Sequence, residues 1–162
     1  TGGASASNRK LNIVPQRSGM NRGIWTNLEH GIVKAYAPMR KHVWVLTGPV
    51  FAADPPMIRR RGGKLIPVPE ALFLIIADPE RYPYDDPDNL NILALLVPQA
   101  HGSTKPETAP VSTLPEIEAK TGLTFFPRLS AAGKAKLVTQ TSPSVWPLEA
   151  VGETGDVPPP EG

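Results

Sequence analysis

Three side chains with hard oxygen donors stand at regular intervals near the start of the chain: Asn12, Asn21 and Glu29. They lie on one continuous stretch, Asn12 to Tyr36, that passes from a short apolar run through Pro15-Gln16 into an amphipathic segment. An amide oxygen and a carboxylate suit a hard divalent cation. Mg²⁺ keeps most of its waters, so one amide oxygen can be its only direct protein ligand. A nearby carboxylate then orients those waters. On an unbroken helix, Glu29 falls about 80° around the axis from Asn21, so adjacent faces can share the shell of one ion. Hydrolysis at such a centre further needs a general base for the attacking water.

The elements that must hold these residues follow from periodicity. Leu11 to Val14 has strand character and is stopped by Pro15, which also restricts Val14 to extended geometry. Ile24, Trp25, Leu28, Ile32, Ala35 and Tyr36 recur at three- and four-residue spacing, which predicts a helix with one apolar stripe, ended by Pro38. Trp25 is read as core, and His30 as a surface residue of that helix. Four strands are expected at His42–Thr47, Lys64–Val68, Leu72–Ala77 and Leu90–Val97, the third buried on both faces. Arg59, Arg60 and Arg61 precede Gly62-Gly63 and predict an exposed basic hairpin or loop. Residues 78–89, which include Asp85, Asp86 and Asp88, read as a solvated loop, and 98–112 as a linker. Thr113-Leu114-Pro115-Glu116 is a capping-box pattern that opens a short helix closed by Gly122. A last helix is expected over Ser130–Val138, and a Pro/Gly-rich disordered tail over 141–162.

Composition sets outer bounds. A chain of 162 residues that is 40% apolar can form one domain spanning 1–140. It has 17 basic and 15 acidic residues, so its pI near 9.0 is only a slight bias toward polyanions. The absence of cysteine excludes disulfides and thiolate metal sites. Twenty prolines and fourteen glycines predict short elements and long connections. No apolar run reaches the length of a membrane span.

The phrase N-I-V-P-Q at 12–16, N-R-G-I-W at 21–25 and L-E at 28–29 resembles the second half of the active-site motif of the DNA/RNA non-specific endonucleases. The likeness continues through V-W-V-L-T-G-P-V-F at 43–51, I-P-V-P at 66–69 and I-E-A-K-T-G-L-T-F-F at 117–126, covering roughly Asn12 to Leu129. It implies an α+β, ββα-metal nuclease-like fold: a mainly antiparallel sheet packed with helices, here without the N-terminal part of the domain. It also implies Mg²⁺ (or Mn²⁺ or another divalent ion) on Asn21, with Asn12 and Glu29 as active-site residues. The substrate would be the DNA and RNA backbone, with Arg22, Arg59, Arg60 and Arg61 as candidate phosphate contacts. By family analogy the protein would act in an extracellular or periplasmic setting; for a homodimer the sequence offers no support.

The departures from the family pattern are specific. Its general base is a His in an Asp-Arg-Gly-His motif upstream of the Asn12 position, and no such motif is present. Only eleven residues precede Asn12, and His30, His42 and His101 all follow it. Val33 stands where an Arg often follows the glutamate, and Leu74 where a strand Lys is common. The expectation is the C-terminal portion of such an enzyme, inactive alone. Two alternatives remain: an inactive pseudonuclease that binds nucleic acid or serves as a structural module, and an unrelated α+β domain.

Overall fold

The computed structural model describes residues 14–40, 43–79 and 90–146. The apolar stripe becomes a helical run over residues 18–40, in which α-helical turns at Ser18–Met20, Thr26–Gly31 and Ala37–Arg40 alternate with wider turns at Asn21–Trp25 and Ile32–Tyr36. Its six stripe residues are all buried. Pro38 lies inside the last turn instead of ending the helix beforehand. The strand expected over Leu11–Val14 lies outside the described residues except for Val14, which is not in a strand.

The helix packs on a four-stranded antiparallel sheet ordered β1-β4-β5-β6, with β1 at Trp44–Val50, β4 at Ala71–Pro79, β5 at Leu90–Pro98 and β6 at Val111–Ser112. β2 (Met57–Arg59) and β3 (Leu65–Pro67) form a separate hairpin. Because neighbouring strand residues point to opposite faces, each central strand serves two cores. Leu72, Leu74, Ile76, Leu93, Leu95 and Val97 meet the helical run. Phe73, Ile75, Ala77, Leu90, Ile92 and Ala94 meet Leu114 and Ile117, Phe125, and Leu137 on the other face. Each such side chain contributes about 1.5–3 kcal/mol by leaving water, so the two layers hold the sheet between them. Phe73 and Phe125 meet edge to face at 5.3 Å.

The second layer contains two short helices, Leu114–Thr121 and Ala131–Thr139. Thr113 caps the first by accepting from the Glu116 N–H, but Glu116 does not complete the reciprocal box; its carboxylate takes the Ser112 hydroxyl at 2.6 Å. Gly122 closes that helix at φ 69°. Ser130 caps the second through the Gly133 N–H. β6 falls inside the stretch read as a linker; a two-residue strand is too short to show periodicity. Gly48-Pro49 does not stop β1, because an edge strand has one unpaired side on which a missing N–H is tolerated.

Residues 141–146, assigned from sequence to the tail, carry Val145 and Trp146 into the core beside the helix. Tyr36 donates its hydroxyl hydrogen to the Trp146 carbonyl, and the two rings meet edge to face at 5.7 Å. No helix among the described residues is long and apolar enough to cross a membrane.

Candidate functional site

The helical run changes character where the candidate ligand sits. Asn21 continues from the first turn, its N–H donating to the Arg17 carbonyl at 2.9 Å. Two residues later Gly23 leaves helical geometry, at φ −97° and ψ −113°. On the other side of Asn21, the Thr26 hydroxyl donates to its carbonyl at 2.6 Å. The backbone of Asn21 is thus held on both sides while its side chain remains exposed. The break also corrects the 80° relation expected between Asn21 and Glu29, since a constant rotation per residue does not survive the kink.

Glu29 lies on the following α-helical turn, exposed, with one carboxylate oxygen accepting from the Trp25 indole N–H at 3.1 Å. Trp25 is core, as its place in the stripe implies, but its polar edge also orients this carboxylate. The pairing was available from the spacing, since residues four apart on a helix face each other. Arg22 is exposed beside Asn21, and His30 is exposed after Glu29. Asn12 lies outside the described residues, as does His42.

A loop from the end of β5 clamps this region. Gln99, buried at 6% exposure, donates to the Pro15 carbonyl at 2.8 Å and accepts from the Arg17 N–H at 2.9 Å. It thereby fixes the turn that leads into the helix. Farther along, Asn27 donates to the Thr104 carbonyl at 2.8 Å. At Gly23 a Cβ would stand 3.2 Å from the Thr104 methyl, so the close approach of loop and helix favours glycine there. No local signal could have found Gln99, whose partners are more than eighty residues away. His101 belongs to the same loop; Thr108 gives its hydroxyl hydrogen to the Lys105 carbonyl, so the contact at 3.2 Å has the His101 Nε2–H donating to Thr108.

The donor chemistry fits a hard ion bound mainly through its own waters. Among the described residues no three His, Cys, Asp or Glu side chains cluster tightly enough to enclose a metal. Asn21 and Glu29 offer an amide oxygen and a carboxylate at an exposed position, which is the sparse arrangement Mg²⁺ accepts. The neighbouring Gln16 Oε1 is buried without a hydrogen-bond partner among the described residues, a position that calls for an ordered water.

Arg59, Arg60 and Arg61 belong to a different element. They occupy the exposed end of the β2–β3 hairpin, of which no residue joins either core. The hairpin form agrees with the sequence expectation.

A family model described as DNA/RNA non-specific endonuclease matches residues 1–132. A chain from the crystal structure of the EndoG/EndoGI complex, solved for the mechanism of EndoG inhibition, superposes with a TM-score of 0.52 at 21% identity. That match covers 79% of this chain and 52% of the other, so this chain spans about half the length of its structural neighbour. At that identity the likeness establishes the fold: an antiparallel sheet and helices arranged as in the ββα-metal nucleases. None of the curated proteins matches.

Proposed function

Because the chain belongs to the DNA/RNA non-specific endonuclease family, we propose that it is the metal-binding portion of an Mg²⁺-dependent, sequence-non-specific endonuclease whose general base is not among its own residues. The observation that carries this reading is the exposed Asn21 side chain on a doubly anchored backbone, followed by a Glu29 carboxylate oriented by Trp25. Asn21 Oδ1 would hold the ion. Glu29 would orient its waters through the oxygen not engaged by Trp25, with Asn12 as a supporting polar group. Arg22 and the cations of the hairpin would contact phosphates without reading bases, as a sequence-indifferent enzyme requires. When bound, the divalent ion stabilises charge on the scissile phosphate and the leaving oxygen.

The absent Asp-Arg-Gly-His motif leaves no residue to take the proton from water. His101 is engaged with Thr108, and neither His30 nor His42 stands in the motif's context. The chain alone should therefore show negligible Mg²⁺-dependent plasmid nicking. Fusion to a family segment that carries Asp-Arg-Gly-His should restore it. In the restored enzyme Glu29→Gln should cost about 10- to 100-fold, and Asn21→Ala more than that. Unchanged activity in Asn21→Ala would remove the metal assignment. Nicking by the isolated chain that is lost in His30→Ala or His101→Ala would show that the base is internal. The missing motif equally favours a second reading, a binding module without catalysis; nucleic-acid binding with no activity restored by the fusion would select it.

A further inference from the structure

The β2–β3 hairpin combines two properties that a purely structural loop has no use for. Its apolar residues are turned outward: Met57 is 50% exposed, Ile58 45% and Leu65 48%. Beyond them stand Arg59, Arg60, Arg61 and Lys64, all exposed, and no acidic residue occurs anywhere in residues 55–69. The tip is ordered. The Arg60 N–H donates to the Lys64 carbonyl and the Gly63 N–H to the Arg60 carbonyl, each at 2.9 Å. Gly62 and Gly63 take φ of 97° and 83°, which L side chains rarely adopt, and Arg59 Nη1 locks the turn on the Gly63 carbonyl at 2.8 Å. Arg59 is thus committed to the turn. Arg60, Arg61 and Lys64 make no side-chain hydrogen bond among the described residues.

The register divides the ribbon into two faces. Arg59 pairs with Leu65 and Met57 with Pro67, which places Met57, Arg59 and Leu65 on one face; Ile58 pairs with the half-buried Ile66 on the other. One face therefore presents two apolar side chains alongside a cationic tip.

We propose that this hairpin is an arm for double-stranded DNA, resting Arg60, Arg61 and Lys64 on phosphates and setting Met57 and Leu65 against the groove. The inference rests on the nuclease reading and specifies the form of nucleic acid it engages. A two-stranded ribbon fits the major groove of B-form DNA, about 12 Å wide, whereas the deep, narrow major groove of A-form RNA excludes it. Apolar side chains on a basic arm add contact that phosphate pairing lacks, since the thymine methyl groups line the major groove. Four cations within residues 55–69, with Asp54 and Glu70 only at its flanks, supply the charge complementarity to phosphates.

The test is metal-free binding of the whole chain, in EDTA, to labelled duplex DNA, duplex RNA and single-stranded DNA, over about 50 to 200 mM salt. Duplex DNA should bind tightest. R60A/R61A/K64A should flatten the plot of log affinity against log salt by about 2–3, since each phosphate contact contributes about 0.9 to its slope. M57S/L65S should weaken duplex binding about tenfold with the slope unchanged, while Ile58→Ser, on the other face, should leave both unchanged. All these residues are exposed, and circular dichroism checks that each variant is folded. An unaltered slope in the triple variant, equal affinity for duplex RNA, or binding to phosphatidylserine vesicles in place of DNA would overturn the arm. Nucleic-acid binding that ignores every hairpin substitution would remove this inference alone; no binding to any of the three nucleic acids would remove the nuclease reading with it.

Discussion

At the scale of single residues, Gln99 fixes the turn that enters the helix by pairing with Pro15 and Arg17. Asn21, Arg22 and Glu29 announce themselves by type and local spacing, and all three are exposed. Gln99 does not, because its role depends on meeting Pro15 and Arg17 across the fold. Gln99→Ala would remove two part-buried hydrogen bonds, to the Pro15 carbonyl and from the Arg17 N–H, and should cost about 1–3 kcal/mol in urea denaturation, at about 0.5–1.5 per bond. Glu118 supplies a pH signature in the second layer. Burial raises its pKa, but hydrogen bonds from Lys134 at 2.6 Å and from the Phe125 N–H at 2.8 Å, with the Lys134 charge, outweigh burial and lower it overall. A carboxylate depressed in the folded state stabilises at pH above its unfolded pKa of about 4.3, and that contribution is lost as pH falls through the lower folded value. Denaturation between pH 3 and 7 should thus show a shallower acid limb in Glu118→Gln.

Elements were easier to read than their ends. The helix stripe and the doubly buried β4 are strong periodic signals, and both stand close to where they were expected. What the pattern could not contain was the break at Gly23, because the stripe reads as continuous on either side of it. The same break lies two residues after Asn21, the residue proposed to hold the ion. Gly23→Ala should press a methyl on Thr104 and burden the non-helical backbone there, at a cost of about 1 kcal/mol. Hydrogen exchange should rise in the 100–108 loop before it rises in β4 or β5. Equal protection in the variant would mean that the loop does not depend on this close approach.

For the whole molecule, the consequence of a sheet with two covered faces is independence between neighbours in sequence. Ile75 and Ile76 are adjacent on β4, both fully buried, and belong to opposite cores. Ile75→Val and Ile76→Val should each cost about 0.5–1.5 kcal/mol. Together they should add to within about 0.5 kcal/mol, because they share no side-chain partners. A larger coupling would show that strain crosses the sheet. The layered architecture itself was within reach of the sequence; which face each helix covers was not, since that depends on long-range pairing. The Tyr36–Trp146 contact extends this point into time. Its partners are 110 residues apart, and the earlier one belongs to the helix that presents Asn21. A nascent chain therefore completes its sheet while that helix still lacks its final fastening, and the helix becomes fully secured only after residue 146 has been synthesised.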